Sequence, residues 1–259
     1  MIDDRFERGA LPYWVRFAVG HAEVEREPGL VRFAIERAEE GQLSDAEIDD
    51  HRTVPRHKLP WAPPLRMTVR ARMSHPAGEM LGTAGFGFWN DPFDWVGNVQ
   101  VPPNALWFLY ASPPSDIAFV PNVAGQGWKA ALLNGGSADR LTMALGNLLF
   151  QLPGMSKLVF RLAQTRIGAH ECLLTQVALT DWHEYRIDWL ETGAHFAVDG
   201  REMASAPNPP RVPLGFVAWV DNNYAVMGPG RHFAFGRIAI SQRQWMELAQ
   251  VRIERLSRR

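Results

Sequence analysis

Two stretches of this chain combine aromatic rings with carboxyl and amide groups at strand-like spacing. In Thr83-Ala-Gly-Phe-Gly-Phe-Trp-Asn-Asp91, alternation puts Thr83, Gly85, Gly87, Trp89 and Asp91 on one face and Ala84, Phe86 and Phe88 on the other. Paired glycines in a strand leave room for a ligand or for close packing of another segment. The second stretch, Trp219-Val-Asp-Asn-Asn-Tyr224, offers Asp221 as an acid or base beside the donors and acceptors of Asn222, Asn223 and Tyr224. Asp-Asn-Asn is equally a turn sequence whose side chains cap their own backbone. If both stretches border one cavity, Asp91 and Asp221 form a carboxyl pair in an aromatic setting, where desolvation makes a proton donor of a carboxyl near neutral pH. These two are the expected catalytic residues. Trp89, Asn90, Trp107, Tyr110, Lys129, Trp219, Asn222, Asn223 and Tyr224 are the expected ligand contacts.

The other chemically capable residues read more simply. Lys129 in Gly-Trp-Lys-Ala suits an anionic or carbonyl group, although a lone lysine is usually solvated. His170 and Glu171 are adjacent on a strand and point to opposite faces, so only one can face a given cavity. Cys172 reads as a small buried apolar residue, and as the single cysteine it excludes an intrachain disulfide. No Cys/His spacing resembles a zinc site, and His183 and His195 read as structural, so neither metal nor cofactor is expected. Ser44-Asp-Ala-Glu-Ile-Asp-Asp50 carries Ser44 three residues before Glu47, a capping box that predicts a short exposed helix. A calcium loop there would lack its glycine punctuation.

Strands must position these groups. Leu65, Met67, Val69, Ala71 and Met73 alternate with Arg66, Thr68, Arg70 and Arg72, a period of two that only a half-buried strand explains. Shorter signals of the same kind recur to give about ten strands separated by turn residues, which means an all-β sandwich. Asp199-Gly200 predicts a hairpin, and a parity change between Met246/Leu248 and Val251/Ile253 predicts a bulge near Ala249-Gln250. One segment breaks the pattern. Leu141, Leu145, Leu148, Leu149 and Leu152 recur at helical spacing before Pro153-Gly154, and Leu158, Val159 and Leu162 follow Ser156, predicting an inserted helical hairpin over about 138–166. No linker divides the 259 residues, so one domain spans 1–259.

With 27 basic and 28 acidic side chains and a net charge of -1, no overall field favours nucleic acid. The N-terminus has acidic residues where a signal peptide is basic, and no apolar run reaches membrane-spanning length, so a cytoplasmic protein without a membrane span is expected.

The passage Asp181-Trp-His-Glu-Tyr-Arg-Ile-Asp-Trp189, followed by His195-Phe-Ala-Val-Asp-Gly200, resembles a passage of the laminarinase and lichenase-like glycosidases within the concanavalin A-like lectin and glucanase superfamily. The resemblance implies a two-sheet antiparallel jelly roll with a concave ligand-binding face. Those glycosidases carry nucleophile and acid/base on one strand as Glu-x-Asp-x-x-Glu. The strand read as equivalent, Ala105-Leu-Trp-Phe-Leu-Tyr-Ala-Ser112, holds no carboxylate, so retaining hydrolysis by that route is not expected. The leading expectation is a small-molecule site for a largely apolar compound, an isoprenoid or lipid, beneath a helical lid. Its chemistry would be metal-independent acid/base catalysis: hydration, cyclisation, isomerisation or hydrolysis. The alternatives are a carbohydrate-binding or carbohydrate-cleaving jelly roll stacking sugars on Trp89, Trp107 or Trp219, and a non-catalytic interaction module whose leucine-rich hairpin forms a homodimer.

Overall fold

The protein is described from a computed structural model covering residues 1–7, 11–92, 101–136, 168–228, 231 and 233–257. The inserted helical hairpin expected over 138–166, with its proposed roles as lid and dimer surface, lies outside the described residues. No helix among those described is long and apolar enough to cross a membrane.

Two large antiparallel sheets face one another. The eight-stranded sheet runs β14 (Arg201–Pro207), β13 (Gly193–Val198), β12 (His183–Trp189), β6 (Leu65–Met73), β18 (Gln244–Arg255), β4 (Leu30–Ile35) and β3 (Ala22–Glu27), with β1 (Ile2–Asp4) also paired to β18. The seven-stranded sheet runs β11 (Gly168–Leu173), β10 (Gly127–Asn134), β8 (Asn104–Ala111), β7 (Thr83–Trp89), β15 (Gly215–Asp221), β5 (Asp45–Asp49) and β2 (Val15–Val19). A smaller sheet of β17 (Ala234–Arg237), β16 (Asn223–Met227) and β9 (Asp116–Ile117) completes the described strands.

Alternation explains the layers. In β6, Leu65, Met67, Val69, Ala71 and Met73 are buried while the arginines face out, as their spacing predicts. Between the sheets Phe108 lies at the centre of a ring cluster, 5.7 Å from Phe86, 5.0 Å from Tyr185, 5.7 Å from Phe196 and 6.0 Å from Trp128. Aromatic burial of this kind gives most of the core's favourable free energy. The Asp199-Gly200 hairpin forms with φ of 50° and 79° at the two turn residues. The register between β18 and β6 slips between Leu248 and Gln250, and this bulge keeps Val251 and Ile253 buried along with Met246 and Leu248.

Ser44–Asp50 is not an exposed helix: Asp45–Asp49 is a central strand between β15 and β2, and Ser44 is fully buried. Ala46 and Ile48 fill the core, which a helix could not do while leaving Asp45, Glu47 and Asp49 on the opposite face.

Candidate functional site

Register across the seven-stranded sheet defines what its outer face carries. One row reads Phe17, Glu47, Trp219, Gly85, Leu109, Lys129 and Leu173. The next reads Val15, Asp49, Val217, Gly87, Trp107, Ala131 and Glu171. Three half-buried tryptophans from three adjacent strands meet there: Trp107 lies 6.1 Å from Trp89 and 5.9 Å from Trp219, ring centre to ring centre. The glycines of β7 make this contact geometry. A Cβ on Gly85 would lie 2.8 Å from the Trp219 ring, and one on Gly87, whose φ is +152°, would lie 2.6 Å from Cα of Trp107. The space above the glycines is thus filled by neighbouring tryptophans.

Beside this platform stand the carboxylates of β5. Asp45, Glu47 and Asp49 share the outer face, and His51 continues the series just past the strand end. Arg52 crosses them: its Nη2 donates to Glu47 Oε1 at 2.7 Å, its Nε to Asp49 Oδ2 at 3.0 Å, and its guanidinium lies 4.1 Å from the Phe17 ring centre. Burial, reinforced by Asp45, raises the Glu47 carboxyl well above the usual range, with Arg52 opposing. Asp45 is raised likewise by burial and by Asp221, its cross-strand neighbour. Asp221 accepts from Thr83 Oγ1 at 2.8 Å, Asn223 N at 3.0 Å and Asn223 Nδ2 at 2.6 Å, whereas Asp45 Oδ1 has no partner among the described residues. Asp50 points the other way, accepting from Trp61 Nε1 at 2.5 Å and Phe216 N at 2.8 Å, and burial pushes its pKa up to about 7.

One ligand atom each from Glu47, Asp49 and His51 lies within 4.8 Å of the others, a spacing a metal ion can use. Most of that donor set is already engaged, and the Arg52 guanidinium lies across both carboxylates. Asp49 Oδ1 accepts the amides of His51 and Arg52 at 3.0 and 2.7 Å, Oδ2 accepts Arg52, and His51 Nε2 accepts the Trp89 indole at 3.2 Å. The arrangement does not fit a resident cation.

The expected acid/base pair is not assembled. Asp221 faces Thr83 at one end of β7, while Asp91 follows Trp89 at the other. The six steps from Thr83 to Trp89 span about 20 Å, far beyond paired-carboxylate distances. Trp89, Trp107 and Trp219 are brought together, but the remaining expected contacts go elsewhere. Tyr110 is a core residue whose hydroxyl donates to Met80 O at 2.8 Å, because the neighbours of Trp107 alternate inward. Asn222 is fully buried and donates to Gln42 O and Ile238 O, tying loops together. Asn90 donates to Pro102 O, Asn223 serves Asp221, and the Tyr224 ring packs on Gly236.

Lys129 is not solvated. It is fully buried, donating to Ile117 O and to Glu171 Oε2 at 3.3 Å, and Glu171 Oε1 accepts the amides of Phe119 and Val120 at 3.0 and 3.2 Å. This buried ion pair pins the segment after β9 onto the outer face, where Ile117 and Phe119 join Leu109, Ala111 and Ala225 in a small second core against Trp107 and Trp219. The smaller sheet thereby walls one side of the platform. His170 is exposed and Glu171 alone turns to this face, and Cys172 is a half-buried free thiol. Clefts of about 340 and 320 Å³ are lined by other residues, around Asn134 and His170 and around His21 and Arg243.

No protein-family model matches this chain, and no curated protein matches it. Solved structures do resemble it. A GlcNAcα1-4Gal-releasing endo-β-galactosidase from Clostridium perfringens has a TM-score of 0.55 at 14% identity, over 98% of this chain and 62% of its own. A glycoside hydrolase family 16 endo-glucanase from Bacteroides ovatus gives 0.54 at 10% identity, over 98% and 99% of the two chains. The laminarinase catalytic domain from Thermotoga maritima gives 0.53 at 11% identity, over 100% and 98%. The chain thus spans under two thirds of the first and almost all of the other two. In fold, the protein is a two-sheet antiparallel β-sandwich similar to the jelly rolls of these glycoside hydrolases.

Proposed function

We propose that the outer face of the seven-stranded sheet binds a carbohydrate chain, with Trp89, Trp107 and Trp219 as its stacking platform. The observation that carries this reading is the contiguity of three half-buried indoles from three adjacent strands. Indole faces fit the apolar faces of sugar rings. The fold likeness to structures named as glucanases and laminarinase points to a neutral gluco-oligosaccharide as the first ligand to try. An isoprenoid or lipid would call for an enclosed apolar cavity.

Cleavage by two carboxylates is not part of the proposal. Glu47-Ile-Asp49 reproduces the first two positions of Glu-x-Asp-x-x-Glu, but the last falls on Arg52, and the same-face position two residues beyond Asp49 is His51. Glu47 on this face is held by Arg52.

Trp107, between the other two rings, is the residue to remove. Trp107→Ala is expected to weaken binding of a mixed-linkage gluco-oligosaccharide about 10- to 100-fold, the worth of a central aromatic contact of ~1–3 kcal/mol. Isothermal titration of both proteins measures it. Equal affinity in wild type and variant would remove the platform from the function.

A further inference from the structure

His51 is buried against the platform rather than open to it, 6% exposed, in a space that exists because Gly215 has no side chain: a Cβ there would lie 2.3 Å from His51 Cβ. Its two ring nitrogens have opposite duties. Nε2 lies 3.2 Å from the Trp89 indole nitrogen, which can only donate, so Nε2 must be the acceptor. Nδ1 lies 3.3 Å from Phe216 O, which can only accept, so Nδ1 must carry the hydrogen. The neighbours thus fix one neutral tautomer. The two rings also meet edge to face, 5.8 Å apart at 87°.

Resting on the reading of this face as a glycan platform, we propose that His51 is its positioning residue: the neutral imidazole holds the Trp89 indole in place for stacking, and protonation of Nε2 releases that ring and weakens glycan binding. An imidazolium sets N–H against N–H along the Trp89 contact, so that hydrogen bond becomes a repulsion. The groups facing His51 are Asp49, whose Oδ1 is 3.6 Å from Nδ1, Glu47 within 4.8 Å, Asp91 after β7, and Arg52. Burial lowers the imidazole pKa, opposed by Asp49 and Asp91, so the neutral form prevails at neutral pH and the release belongs to the acid side. Trp89 is half-buried, so its freed ring has solvent to move into.

The experiment is calorimetric titration of a mixed-linkage gluco-oligosaccharide into wild type and His51→Gln from pH 4 to 8. Alongside it, NMR of the free protein follows the His51 ring and the Trp89 indole N–H. For wild type, affinity is expected to fall about tenfold one pH unit below the His51 midpoint, because only the neutral fraction is binding-competent. The Trp89 indole resonance should titrate with the same midpoint. His51→Gln offers a carbonyl oxygen to the same indole and does not titrate, so its affinity should stay flat and near the neutral wild-type value. A purely structural histidine would give no such rescue. Wild-type affinity that is constant across the His51 midpoint, or an equal fall in His51→Gln, overturns the proposal. If no oligosaccharide binds at any pH, the indole decides. A Trp89 resonance that follows His51 keeps the coupling and overturns the glycan reading, and one that ignores His51 overturns the coupling.

Discussion

Lys129→Met, with Glu171 left in place, is expected to destabilise the protein by about 3–5 kcal/mol, the usual cost of stranding one partner of a buried ion pair. Both side chains are wholly inaccessible, so the stranded Glu171 carboxylate has no solvent to turn to. Its second oxygen would still accept the Phe119 and Val120 amides, so the loss falls on the charge rather than on the loop's hydrogen bonds. Adding Glu171→Gln should recover much of that cost, because the amide keeps a carbonyl oxygen for both amides and removes the unpaired charge. Urea unfolding of the two singles and the double completes the cycle. Singles that each cost under about 1 kcal/mol would show that the pair is solvated in solution, contrary to its burial here.

The second large effect lies on the opposite sheet. Glu247 is fully buried at a position where register aligns it with Arg32 on β4 and Arg72 on β6. Its Oε1 accepts Arg32 Nε at 2.8 Å and its Oε2 accepts Arg72 Nε at 2.7 Å. The Arg72 guanidinium lies 4.8 Å from the Trp182 ring centre and 5.3 Å from that of Trp245. Arg32 has Glu25 and Glu27 in reserve at 3.0 and 2.7 Å, while among the described residues Glu247 is the one carboxylate paired with Arg72. Arg72 is 35% exposed and keeps contact with water, so Glu247→Ala should cost about 1–3 kcal/mol, the worth of its charge-assisted hydrogen bonds, or roughly 5 °C in melting temperature for a chain of this size. A shift of no more than a degree or two would mean that the two stacking contacts hold Arg72 without the carboxylate.

The fold was legible where one face of a strand is apolar and the other is not. Leu65 to Met73 shows this, and so do the Asp199-Gly200 turn and the bulge near Gln250, because period and turn chemistry are local properties. Asp45–Asp49 was misread for a reason equally local. Ser44 and Glu47 satisfy a helix-capping pattern, and in five residues the alternation of Ala46 and Ile48 with three carboxylates is too short to outweigh it. That alternation was nevertheless the available signal for the acidic row. Lys129 was undecidable from sequence because its partner, Glu171, lies 42 residues away and reaches it only through the pairing of β10 with β11. The Asp91–Asp221 pair failed because faces can be read from parity, whereas position along a strand requires the register. The three tryptophans were each identified singly, and the β7–β15 and β7–β8 registers make them one surface.

Carbohydrate binding at this surface can be followed through the indole N–H resonances of the protein during titration with a mixed-linkage gluco-oligosaccharide. Trp89, Trp107 and Trp219 are expected to shift together with one saturation curve, while core Trp128 and Trp189 and the opposite-sheet Trp182 and Trp245 stay in place. Saturable shifts confined to Trp182 and Trp245, or binding that leaves the three platform indoles unmoved, would contradict carbohydrate binding at this surface.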